Sequence, residues 1–73
     1  MKLYISRHAK RRMKERKIVQ ADILQTMEHA DEVTPSINGR VNYLKTIGTR
    51  RLKVTCKDEA DTRIVITVME RNL

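Results

Sequence analysis

The apolar positions of the chain change period near residue 31: before it they recur at helical spacing, and after it they alternate or run together as strands do. Ser6 is a good N-cap for a helix over residues 7–17, most of whose residues are strong helix formers. On that helix Ala9 and Met13 make a narrow apolar stripe, and His8, Arg12 and Arg16 form a row at its margin. Lys10, Arg11, Lys14 and Glu15 occupy the remaining, solvent-facing arc. A second helix is predicted over residues 20–29, with Ile23, Leu24, Met27 and Ala30 on one face and Asp22 favourably placed in the first turn. Val19 is a poor N-cap for it.

The remainder reads as four extended runs. Residues 32–34 are short, Asn38-Gly39 is a strong turn signal, and residues 40–47 form the next strand. Gly48-Thr49 turns into residues 50–57, where Leu52, Val54 and Cys56 alternate with Arg51, Lys53, Thr55 and Lys57. The polar DEADT loop leads to residues 63–69, whose unbroken IVITVM segment predicts a central strand covered on both sides. The expected fold is α+β, with two N-terminal helices packed on a three- to four-stranded antiparallel sheet. If Leu52, Val54 and Cys56 face the helices, then Arg51, Lys53 and Lys57 form a basic stripe on an open sheet face.

Length and composition narrow the setting. Seventy-three residues predict one domain, 1–73, with a core of Ile, Val, Leu and Met, because there is no Trp or Phe and there are only two tyrosines. A single cysteine, Cys56, excludes an intramolecular disulfide framework and suits a reducing, cytoplasmic compartment. The opening MKLYIS is too short for a signal-peptide apolar region, and no segment reaches the length of a membrane helix. The formal charge of +7 predicts attraction to polyanions, close-packed phosphates above all. That charge is blocked along the chain. Residues 1–19 hold eight basic and one acidic residue, 20–39 none and four, 40–57 six and none, and 58–73 two and four.

The pattern His8-Ala9, Arg12-Met13, Arg16, Ile18, then a short helix, Gly39-Arg40, a tyrosine strand, a basic strand and a VITV end, resembles the domain of unknown function 4258 family from Tyr4 to Val68. More distantly, the chain resembles the RelE/ParE-like and BrnT-type toxins, small basic α+β proteins with two helices backing an antiparallel sheet. That resemblance implies the same fold, a toxin-antitoxin or mobile-element setting, and RNA cleavage. Val19 stands where the family pattern usually offers a capping Ser or Thr. The wider superfamily includes members that do not cleave RNA, so chemistry does not follow from fold.

Metal-free RNA cleavage needs a group to take the 2′-hydroxyl proton, charge for the crowded phosphate, and a donor for the leaving 5′-oxygen. His8 has the chemistry of an acid or base, and Arg12, Arg16 and Arg51 can hold phosphate oxygens; the four are expected around one basic cleft. Lys10, Arg11, Lys45, Arg50, Lys53 and Lys57 are candidate nucleic-acid contacts. Tyr43 is a candidate proton donor or a packing residue. His29 and Cys56 read as a surface residue and a buried strand residue. No zinc-ligand spacing, Gly-rich phosphate loop or paired carboxylates occurs, so no cofactor or metal is expected. The scarcity of aromatics argues against a base-stacking platform and for recognition of backbone charge and shape. Three readings stand: a metal-independent endoribonuclease, a noncatalytic RNA or ribosome binder, and a protein whose basic face meets an acidic partner such as an antitoxin.

Overall fold

The computed structural model describes residues 2–72. The elements run β1 (Lys2–Ile5), α1 (Arg7–Arg16), α2 (Gln20–Glu28), β2 (Glu32–Pro35), β3 (Val41–Ile47), β4 (Arg50–Glu59) and β5 (Thr62–Asn72). The five strands form one sheet in the order β1-β5-β4-β3-β2, with both helices on one face. The fold is therefore α+β as expected. The sheet, however, has five strands and is mixed, because β1 pairs with β5 in parallel while every other pair is antiparallel.

Two hairpins follow from local turn chemistry. Asn38 and Gly39 both take positive φ, 56° and 74°, and the Arg40 N–H closes the turn on the Ile37 carbonyl at 3.1 Å. This is the mirror-image turn whose twist suits a hairpin, and Asn-Gly is the pair that adopts it at least cost. In the β3–β4 turn only Gly48, the first of the two central residues, takes positive φ, at 63°, the place where the other common hairpin turn calls for glycine.

The core lies between sheet and helices. Leu52, Val54 and Cys56 of β4 and Val65 and Val68 of β5 meet Ala9, Ile18 and Ile23 from the helical layer, with Met13, Met27 and Tyr43 packed around them. Val65 and Val68 are three residues apart yet share one face. The reason is a β-bulge: Thr55 pairs with Thr67, but Cys56 pairs with Val65, leaving Ile66 as an extra residue. The IVITVM run is thus an alternating strand with its phase reset once.

Helix α2 departs from the expected face. Ile23 and Thr26 are buried and Leu24 is exposed. The Thr26 hydroxyl donates to the Asp22 carbonyl at 2.7 Å, which satisfies its polar atom in the helix itself. The start of α2 is half capped: the Asp22 carboxylate accepts the Val19 N–H at 3.2 Å, but a valine side chain has no oxygen to return the bond.

Candidate nucleic-acid interface

Helix α1 is held firmly at both ends. The Ser6 hydroxyl accepts the Ala9 N–H at 3.1 Å and donates to the Ile66 carbonyl at 2.9 Å, so one side chain caps the helix and ties it to β5. At the other end Lys17 turns left-handed, with φ 56° and ψ 44°. The Ile18 N–H then reaches the Met13 carbonyl at 2.8 Å and the Lys17 N–H reaches Lys14 at 3.4 Å, the paired bonds of a Schellman stop. Between these ends Ala9 is fully buried and Met13 packs on the core. The opposite arc is presented to solvent, with Arg7, Lys10, Arg11 and Lys14 all exposed.

The two basic blocks have different fates. Among the described residues, none of the basic side chains of α1 makes an ion pair, whereas most of the 40–57 block is neutralised. Arg51 binds Asp31 at 3.1 Å, Glu32 at 3.2 Å and the Thr46 hydroxyl at 3.0 Å. Lys45 donates to the His29 carbonyl at 3.0 Å and lies 3.7 Å from Asp31. Arg50 pairs with Glu70, donates to the Arg16 and Lys17 carbonyls at 3.1 and 3.4 Å, and lies 4.0 Å from Asp22. Lys57 sits 3.9 Å from Glu59. Asp22, Asp31 and Glu32 of the acidic 20–39 segment, with Glu59 and Glu70 beyond it, thus meet the second basic block through the fold and leave the first one free. Asp31 records this: the Thr46 N–H bond, with Arg51 and Lys45 nearby, holds its carboxyl below the usual range.

The expected cleft of His8, Arg12, Arg16 and Arg51 is not formed. Arg50 and Arg51 point to opposite faces of β4, as neighbours on a strand must, and Arg50 is the one that reaches the end of α1. Arg51 lies on the open face, anchored toward β2 and β3. Arg12 and Arg16 line a groove of about 130 Å³ with residues 67–70 of β5. His8 is exposed, and its Nδ1 lies 3.5 Å from a terminal nitrogen of Arg11.

Among the described residues Lys53 makes no ion pair; it stands on the open face, in a depression of about 380 Å³ lined also by Glu32, Leu44, Arg51, Met69, Glu70 and Arg71. Arg71 was not among the sequence candidates because the apolar run of β5 ends before it; the strand continues to Asn72 and sets Arg71 opposite Arg51. Arg7 was missed as well, although it lies one turn before Arg11 on the same arc of α1.

Tyr43 faces the helices and packs against the core, with the Arg63 guanidinium carbon 5.8 Å from its ring centre. Arg63 grips Asp58 in a two-pronged bond, at 2.8 and 3.1 Å, which holds the Asp58 carboxyl below its usual range. Cys56 is buried, and burial pushes its thiol up to about 11, the wrong direction for a nucleophile at neutral pH. No group of three His, Cys, Asp or Glu able to hold a metal is found among the described residues. No helix among them is long and apolar enough to cross a membrane.

Fold and surface together define a small basic α+β protein with an uncompensated cationic helix on its surface. A family model, the domain of unknown function DUF4258, matches residues 5–70, and the chain belongs to that family. No curated protein and no solved structure matches it.

Proposed function

We propose that this protein binds RNA through the outer arc of α1, with Arg7, Lys10, Arg11 and Lys14 on backbone phosphates. The observation that carries the reading is the sorting of charge: among the described residues the cations of α1 make no ion pair, while most of those of the second block are paired with carboxylates of the same chain. A cation already paired in the protein must break that pair to bind phosphate; a free one only releases a solution anion. Arg51, Lys45 and Arg50 are therefore structural in this reading, and Lys53 with Arg71 is a secondary contact on the other side of the sheet. Binding of a labelled RNA should weaken strongly in a Lys10→Ala, Arg11→Ala, Lys14→Ala variant and little in Lys45→Ala. Equal losses in the two would overturn the assignment.

RNA cleavage is the second reading of the same surface, within a distant relation to the RelE/ParE-like and BrnT-type toxins. It is favoured by an accessible imidazole beside Arg11, an arrangement in which His8 reaches a 2′-hydroxyl while Arg11 holds the phosphate. End-mapping of RNA after expression of wild type and His8→Ala tests it. Identical ends in the two would remove catalysis and leave binding intact.

A further inference from the structure

The two outer edges of the sheet are finished differently. On the β2 side the edge strand is four residues long and ends in Pro35. Just before β2 begins, the Asp31 carboxylate takes the Thr46 N–H at 2.9 Å and the Asp31 N–H donates to the Leu44 carbonyl at 2.8 Å, so the tail of β3 is closed. These are the devices by which proteins keep an edge from recruiting another strand. On the β5 side, β1 covers residues 62–65 only. The chain then leaves the sheet at Ser6 to enter α1, and residues 67–72 of β5 run on with β4 on one side and no described strand on the other. No proline or bulge interrupts that stretch. The groove between it and α1 is lined by four consecutive strand residues, 67–70, so it follows the backbone edge itself, and its far wall is Arg12 and Arg16.

We infer that residues 67–72 of β5 accept an extended acidic segment of a partner protein as an added strand, continuing the line of β1. Main-chain hydrogen bonds to the open edge supply affinity, and alternate side chains supply selectivity. Side chains of the added strand that turn toward the helices meet Arg12 and Arg16, which calls for Asp or Glu at alternate positions. Those that turn to the open face lie beside Met69, which is 54% exposed, and call for apolar residues. A second copy of the chain is the other occupant an open edge invites. Here it would bring its own Arg12, Arg16 and Arg71 against the same cations, on a molecule of net charge +7. Like charges so placed oppose self-pairing and select an acidic strand. The outer arc of α1 proposed for RNA takes no part in this groove, so the two surfaces stand or fall separately.

The test uses the full chain and a capped eight-residue peptide of alternating Glu and Val, followed by amide NMR and hydrogen exchange. The expected result is shifts at residues 67–72 and slowed exchange of alternate amides there. Binding should weaken about tenfold in Arg12→Gln, Arg16→Gln and fall steeply with salt. The same peptide methylated at alternate backbone nitrogens, and one with Lys in place of Glu, should not bind. Binding of the methylated peptide equal to that of the parent, or shifts confined to Lys10, Arg11 and Lys14, would overturn the added strand. Sedimentation showing a dimer whose formation protects residues 67–72 would overturn the acidic partner in favour of self-pairing.

Discussion

Arg50 is the residue on which the division between structural and free cations is sharpest. Its guanidinium joins three elements: it pairs with Glu70 on β5, donates to the last carbonyls of α1, and lies 4.0 Å from Asp22 at the start of α2. The Glu70 side chain is only 14% exposed, so Arg50→Ala would leave a carboxylate largely shielded from water without its partner. Losing hydrogen bonds between charged groups costs about 1.5–3 kcal/mol, and losing a cation at a helix C-terminus about 0.5 kcal/mol more. A total near 3 kcal/mol is a large part of the roughly 5 kcal/mol expected of a domain this small. At about 4–8 °C per kcal/mol, the melting temperature should fall by roughly 12–24 °C. Thermal and urea unfolding followed by circular dichroism, on Arg50→Ala, Glu70→Ala and the double variant, give the coupling directly. It should reach about 1.5 kcal/mol, whereas Lys53→Ala, with no pair to lose, should stay within about 0.5 kcal/mol of wild type. A coupling below about 0.3 kcal/mol would make the pair an incidental surface contact and Arg50 no more structural than Lys53.

Three further outcomes are expected. Lys17→Gly, which relieves a left-handed lysine at φ 56°, should stabilise the protein by about 0.5–1 kcal/mol, read as a shift in the urea midpoint. Val19→Ser should complete the cap that Asp22 has half made and add about 1 kcal/mol by the same measurement. Asp31 and Asp58 are both held below the usual carboxylate range in the folded chain, so the stability they contribute is complete above that range and lost as pH falls through their lowered folded values. Asp31→Asn should therefore destabilise at neutral pH and less so in acid; a deficit that persists unchanged down to about pH 2 would contradict this.

How much of this was legible beforehand depended on the range of each interaction. The helices were, because Ser6, the Ala9 and Met13 stripe and the helix-forming residues between them act within a few positions of one another. The outward facing of Arg51, Lys53 and Lys57 was also legible from strict alternation in β4. Strand β1 was not: four residues before a helix carry too little alternation, and its partner lies sixty residues away in β5. The bulge at Ile66 hid the phase of β5 for the same reason, since only the register with β4 reveals the extra residue. At the site, charge counting found both basic blocks, but which cations are spent internally depends on where Asp31, Glu32 and Glu70 arrive. Lys45, Arg50 and Arg51 looked like phosphate ligands until their carboxylate and carbonyl partners were in place, and Arg71 emerged only with the full length of β5.

The salt dependence of RNA binding counts the cations that meet phosphate and so tells the two basic blocks apart. For a single-stranded RNA, each phosphate neutralised contributes about −0.7 to the slope of log affinity against log salt, so four contacts from Arg7, Lys10, Arg11 and Lys14 predict about −2.8. Replacing Lys10, Arg11 and Lys14 by Ala should reduce the slope to about −0.7, while Lys45→Ala with Lys57→Ala should leave it near the wild-type value. A slope unchanged in the α1 variant and reduced in the Lys45, Lys57 variant would place the RNA on the second basic block instead.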